Sequence, residues 1–495
     1  MRLKPSANLN ESEVRSGLKL VIADGLAAES MVAFTGGAFL VAMALQLGAT
    51  NLQLGILAAL PTFSSVFQLV SIWLVRKYNN RRAITVIGSF FARFPLLLIG
   101  LLPFLFTTGT SVSVLIFLLF FHYYFGAVAG ASWNSWMKDL VPEKQLGSYF
   151  SHRNRLTQSL NVILSLTTAF SLDYLKANYP QHEMIAYSIM FLIGGAIGMF
   201  GIAALMRTPE PESVLEGDNM FKLLERPLRD TNFRSLLTFN SCWAFALNIA
   251  TPFFSVFMLK TLGLPLSYII CLGIIGQLSG IFSVRMWGRY TDRYSNKTII
   301  NICAPIYILC ILAWAFAEMP GSSIGILSVL VVINIFSGIT SAGINLAITN
   351  IGIKLAPKDE AMVYLSVKNM AVALFSAIAP VIGGLMADFF ATHELAWSIQ
   401  WNGAGSSTVI HLIKLKGWSF FFIIGGLLAL FALRYLSSVK EHGEVQKERV
   451  VIYMRTKLRR NVAREAKGIY TGESFTPLKK FPRWLQSQMG STTIQ

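Results

Sequence analysis

The sequence predicts an all-α membrane protein: twelve transmembrane helices in two pseudo-symmetric six-helix bundles, with both termini cytoplasmic. Three observations lead there: composition, recurrent long apolar runs, and an internal echo. Of 495 residues, 54% are hydrophobic and only 14% charged, and Phe alone numbers 36. Soluble domains carry about 25% charge. Apolar runs of about twenty residues recur along the whole chain, the signature of helices that cross a bilayer. A closed barrel would need alternating strands of about ten residues instead, and the runs do not alternate. The echo is specific. Leu140-Val141-Pro142 recurs as Leu355-Ala356-Pro357, Tyr149-Phe150-Ser151-His152-Arg153-Asn154 as Tyr364-Leu365-Ser366-Val367-Lys368-Asn369, and Asp173 as Asp388. One offset of about 215 residues joins all three, which means two copies of one unit.

Taken in order, residues 1–17 form a polar cytoplasmic segment in which Asn10 and Glu13 have the spacing of a capping box. No signal peptide is expected, because the first apolar run is too long for one. Spans are predicted at 18–47, 51–75, 83–106, 112–137, 156–176 and 184–206, making an N-terminal bundle of 18–206. A polar linker follows at 207–233, with Pro209, Pro211 and Pro227. The second bundle, 234–437, has spans at 234–260, 266–288, 297–317, 323–350, 362–388 and 417–437. Its outer loop, 389–416, alternates apolar and polar residues either side of Asn402-Gly403-Ala404-Gly405, the pattern of a hairpin. The tail, 438–495, is basic with interleaved aromatics, a composition suited to an anionic membrane surface or to a solvated tail.

Charge fixes the orientation. Of the 42 Lys and Arg, only Lys176, Lys260, Lys414 and Lys416 fall in outer loops, and Arg93 lies within the third span. The rest fall on the cytoplasmic side, as the positive-inside rule requires. The net charge of +17 is therefore topological, and no nucleic-acid partner is expected. Cys242, Cys271, Cys303 and Cys310 all lie in apolar runs without CxxC spacing and read as small buried hydrophobes. No metal cluster or cofactor is expected. Nor is an enzyme: the histidines are scattered, and no HExxH, nucleophile elbow or GxxxxGK[ST] is present.

Between spans eight and nine the chain reads Gly288-Arg289-Tyr290-Thr291-Asp292-Arg293-Tyr294-Ser295-Asn296-Lys297. With two six-helix halves, a polar central linker and cytoplasmic termini, this resembles the major facilitator superfamily of secondary transporters over residues 18–437. That family carries G-x-x-x-D-R-x-x-x-K/R at this loop and between spans two and three. The first copy here, Arg76-Lys77-Tyr78-Asn79-Asn80-Arg81-Arg82, has Arg76 where the acid belongs. The stretch from Trp133 to Asn154 is similar to a bacterial branch with W-x-x-W-x-x-D-L-V-P-E-x-x-x-G-x-[YF]-F-x-x-R-N. The resemblance implies a multi-pass inner-membrane protein, functioning as a monomer in contact with lipid. It would move a small-molecule substrate by alternating access, coupled to an ion, with the proton favoured.

Candidate residues divide into two groups. Gly288, Asp292, Arg293 and Lys297 form a cytoplasmic gate in which Asp292 latches neighbouring helix ends. Arg76, Lys77, Arg81 and Arg82 are read as plain cytoplasmic anchors. Arg153 and Lys368 are expected to pair with Asp139 and with Asp359 or Glu360, either as gate or as orientation. Deep in the membrane, ionisable groups are costly and mostly functional. Glu29 lies roughly 16 Å into span one, near the midplane. Arg93 and His122 reach similar depth, and Asp24 is shallower. Glu29 and His122 are the coupling or substrate candidates, with a Glu29–Arg93 or Asp24–Arg93 structural pair as the plainer alternative. Asn240, Trp243, Asn248, Asn334 and Asn345 on spans seven and ten would suit a polar or aromatic substrate, or serve as helix glue. Asp173 and Asp388 sit at outer helix ends, where helix capping or solvent contact is expected. Export of an amphiphilic or aromatic compound is favoured over uptake of a polar nutrient. A non-transporting sensor or lipid-handling protein on the same fold is the remaining reading.

Overall fold

The computed structural model describes residues 5–6, 9–106, 108–212, 225–319, 321–357, 360–403 and 406–441. Helix α1, Glu11–Thr35, starts at the expected capping box, with the Asn10 amide donating to Glu13 at 2.9 Å. It breaks at Gly36 and resumes as α2, Gly37–Gln46. Gly37 has φ 56°, a left-handed conformation in which glycine carries no steric penalty. Helix α3, Asn51–Ser64, passes through a 3-10 turn at Ser65–Phe67 into α4, Gln68–Tyr78. Asn79, at φ 43°, ends it, and the Asn80 side chain caps α5, Arg81–Leu105. The repeat closes with α6, Thr108–Leu140, α7, Leu146–Asn178, and α8, Glu183–Arg207.

After a single turn at Arg226–Arg229 the pattern recurs. Helix α9, Thr231–Ala250, breaks at Thr251-Pro252 and continues as α10, Phe253–Lys260. Then come α11, Leu266–Arg293, α12, Asn296–Trp314, α13, Ser323–Leu355, α14, Ala361–Phe390, and α15, Trp418–Tyr435. Strands β1, Glu394–Gly403, and β2, Ser406–Lys416, pair antiparallel with an irregularity at Trp397/Ser398, forming the hairpin expected there. The tail from 442 onward lies outside the described residues.

Among the described residues, 11 helical stretches are long and apolar enough to cross a membrane. The predicted fifth span is not among them. Helix α7 has 33 residues, but Gln158, Asn161, Ser165, Thr167 and Thr168 dilute its apolar stretch.

Packing repeats with the sequence. Helix α1 packs on α7 and α8, as α9 packs on α14 and α15; α5 packs on α6 and α8, as α12 packs on α13 and α15. The two most extensive contacts between the repeats are α3 with α14 and α7 with α11. At the first of these the backbones touch. A Cβ on Gly55 would lie 2.2 Å from the Pro380 carbonyl, and one on Gly384 2.6 Å from that of Asn51. The largest buried apolar cluster runs through both repeats, from Phe39 and Met43 to Phe253 and Phe421.

Candidate functional site

The buried charges of the first repeat converge between α1, α5, α6, α7 and α8. Asp24 and Arg93 are both buried and ion-paired, with Nη2 donating to Oδ1 at 2.8 Å. Arg93 also donates from Nη1 to the Gly198 carbonyl at 2.6 Å. A Cβ on Gly201 would lie 2.7 Å from Arg93 Nη1 and 3.0 Å from Asp24 Oδ1, so the pair occupies space that only glycine leaves free. Of the two structural pairs the sequence allowed, Asp24–Arg93 is the one formed. Glu29 is half-buried and faces α7 instead, where Asn161 Nδ2 donates to Oε1 at 2.9 Å. His122 Nδ1 lies 2.7 Å from the Ala92 carbonyl. The nitrogen must carry the proton there, which leaves Nε2 as acceptor in the neutral ring.

Arg153 requires a correction. It does not pair with Asp139. Its guanidinium lies over the Trp133 ring, 5.0 Å from the centroid, and against Gly25, where a Cβ would come within 2.7 Å of Nη2. Asp139 instead binds Arg81, a residue read from sequence as a surface anchor. Arg81 is only 1% exposed. Besides Asp139, it binds Glu210 through Nε at 3.2 Å and donates to the carbonyls of Ser135 and Pro211. The cause is position: Arg81 opens α5 directly beneath the end of α6, whereas the gap at Gly25 turns Arg153 inward. In the second repeat, Glu360 pairs with Arg226, and Asp359 lies outside the described residues. Lys368 is buried against Gly352 and forms no ion pair among the described residues.

Asp24, Arg93, His122 and Arg153 line one cavity of about 270 Å³, together with Thr85 and Trp133. Sequence reasoning did not place Thr85 or Trp133 there, because neither is charged.

The amides of the second repeat do not converge on this cavity. Trp243 is a core residue, stacked on Phe239 at 6.1 Å. Asn248 donates to the Ala244 carbonyl and to Ser376 Oγ, joining α9 to α14. Asn334 donates to Leu330 on its own helix. Asn248 thus acts as helix glue, whereas Asn334 is satisfied within its own helix. Asn240 is buried with neither amide atom hydrogen-bonded. Asn345 lines a separate cavity of about 610 Å³ with Gln158 and Tyr307.

At the loop after α11, Asp292 is exposed and forms no hydrogen bond or ion pair among the described residues. Arg293 lies 5.4 Å from the Tyr294 ring. Nothing crowds Gly288. The cap on the next helix comes from Glu441, which sequence reading passed over. It accepts from the backbone N–H groups of Asn296 and Lys297, at 3.3 and 2.8 Å, and from Lys354 at 3.3 Å. Burial pushes the Glu441 carboxyl up, but these donors together with the Asn296 amide outweigh it, and its pKa lies below the ordinary value. Glu210 caps the start of α5 in the same geometry, accepting from the backbone of Arg81 at 2.7 Å and of Arg82 at 3.0 Å.

The opposite end of the molecule has a matching pair. Asp173 on α7 accepts from the backbone N–H groups of Leu266 and Ser267, at 2.9 and 2.8 Å. Asp388 on α14 accepts from Asn51 and Leu52, at 3.2 and 3.0 Å. Each therefore caps a helix of the other repeat rather than its own.

Long apolar helices with charges buried between them define an integral, multi-pass membrane protein. A sequence profile of the Major Facilitator Superfamily matches residues 25–352, and the chain belongs to that superfamily. The solved nucleoside transporter NupG is similar, with a TM-score of 0.61 at 13% identity over 87% of this chain and 99% of that one. A D-xylose-proton symporter gives 0.60 at 12% identity, covering 88% and 98%. A bacterial homologue of the iron transporter ferroportin, in an inward-facing state, gives 0.56 at 12%, covering 88% and 100%. At these identities the likeness is one of fold. No curated relative matches the chain. Family membership makes this a secondary transporter of a small molecule rather than an enzyme.

Proposed function

We propose that the protein is a proton-coupled secondary transporter that works by alternating access, with Glu29 as the coupling group. The observation that carries this is the contrast between two carboxylates on α1. Asp24 is ion-paired to Arg93, whereas Glu29 forms no ion pair among the described residues and accepts from the neutral amide of Asn161. A carboxylate with a neutral partner can take up and release a proton without leaving a cation stranded. In this reading α7 is the twelfth span. Residues 18–206 and 234–437 are the two rocking bundles, linked by 207–233, with both termini cytoplasmic. The end carrying Asp173 and Asp388 is then the outer one. Caps between the bundles close it, while an unlatched Asp292 and a cavity of about 600 Å³ between α4 and α14 suit an open cytoplasmic end. The substrate is an amphiphilic or aromatic small molecule, and export its direction.

Flux in proteoliposomes tests the coupling. A substrate panel is loaded with and without an imposed pH gradient. Gradient-driven accumulation is expected in the wild type and is lost in Glu29→Gln, while exchange of substrate across the membrane persists. Accumulation in Glu29→Gln equal to that of the wild type would sink the reading.

A further inference from the structure

The cavity between α1, α5, α6, α7 and α8 contains more hydrogen-bond donors than the protein satisfies. Arg153 Nε, Trp133 Nε1 and Thr85 Oγ1 are all buried without a hydrogen-bond partner, and all three side chains line this one space. Thr85 is only 1% exposed. Buried polar groups are nearly always paired, so three orphans around one cavity point to a missing partner. Charge gives the sign of that partner. Asp24 is used by Arg93, and Arg153 forms no ion pair among the described residues. The lining therefore holds two guanidinium groups and one carboxylate. His122 is occupied at Nδ1, which donates to the Ala92 carbonyl. A water molecule could accept from two of these donors but would bring no negative charge to Arg153, on which Asp24 and Glu29 act without forming an ion pair.

We propose that this cavity binds the oxyanion head of a small molecule, a carboxylate or a phosphate. Arg153 supplies the charge, and Trp133 Nε1 and Thr85 Oγ1 supply flanking donors. Charge-assisted hydrogen bonds of this kind are the strong ones. Size agrees: about 270 Å³ falls below the roughly 300–1,000 Å³ of pockets that enclose a drug-sized ligand. It has room for an acid group while the rest of the molecule extends beyond it. The inference rests on the transporter reading for its biological sense, since it makes the cargo an acid. The site itself stands on the geometry alone.

The test is binding to the purified full-length chain in detergent, with no gradient. Thermal stabilisation is titrated with acetate, inorganic phosphate and acetamide, the last being a neutral match for acetate in shape. Saturable stabilisation by acetate or phosphate, and none by acetamide, is expected; which anion binds more tightly identifies the head group. Arg153→Gln should weaken binding at least about tenfold, the loss expected for one charge-assisted hydrogen bond. Should that variant not fold, Gly25→Ala displaces the guanidinium while keeping its charge, and Thr85→Val removes one donor; both should weaken binding. Equal stabilisation by acetamide, unchanged affinity in the Arg153 and Gly25 variants, or no response to either anion each overturns the site. If binding behaves as expected but gradient-driven flux is absent, the site holds and the coupling reading falls.

Discussion

Asp24 and Glu29 lie little more than a turn apart on α1, yet their surroundings give them different work. Asp24 and Arg93 are buried together, and the space at Gly201 lets their charged groups meet. Removing one member of such a pair leaves an uncompensated buried charge, at a cost of about 3–5 kcal/mol, whereas removing both costs much less. Asp24→Asn should therefore lower the thermal midpoint sharply, and Asp24→Asn with Arg93→Gln should recover much of the loss. A double variant no more stable than the single one would show that the pair is not the source of the effect. Asp24, Glu29, Arg93 and His122 were all legible in the sequence, because ionisable residues stand out against apolar runs. The sequence could not choose partners. That choice depends on glycines at helix crossings, where the absence of a side chain carries no label. Arg81 makes the same point: it reads as one more basic loop residue, and only the fold shows it buried between Asp139 and Glu210.

Among elements, the repeat explains what composition could not. The first helix of each copy breaks at the equivalent place, by Gly36-Gly37 in one and Thr251-Pro252 in the other, so one backbone interruption has two chemical solutions. Just beyond each copy lies a glutamate that caps the start of its third span. Glu210 holds α5 and Glu441 holds α12. Neither glutamate falls in an echoed motif, so the sequence did not reveal them, whereas Asp173 and Asp388 were legible as an echoed pair. Because the pKa of Glu441 is depressed, its stabilisation is fully present above the ordinary glutamate value of 4.5. That stabilisation is lost as pH falls through the lower, folded-state value. Glu441→Gln should then be less stable than the wild type at neutral pH, with the gap narrowing on acidification below pH 4.5. A gap that stays constant down to strongly acid pH would mean that the charge of Glu441 plays no part.

For the whole molecule, the question is what holds one end shut. Two aspartates reach across the repeats, Asp173 to the start of α11 and Asp388 to the start of α3. Each meets two free backbone N–H groups and the positive end of a helix dipole, so each contact needs only one side chain. The glutamate caps at the opposite end stay within one repeat. Rocking of the two halves would thus leave Glu210 and Glu441 in place while breaking the bonds of Asp173 and Asp388. Loss of such a cap costs about 1 kcal/mol, so losing both shifts the balance of conformations by about 2 kcal/mol, roughly a thirtyfold change in their ratio. Asp173→Ala with Asp388→Ala should therefore populate a state open at that end. Distances between nitroxide labels at the Asp173 ends of α7 and α11, placed in a background with the four cysteines replaced, would report it. The distribution should gain a longer component in the double variant, and each single variant should show a smaller one. A distribution identical to the wild type would mean that the packing of Gly55 and Gly384 between α3 and α14, and not the carboxylates, keeps that end closed.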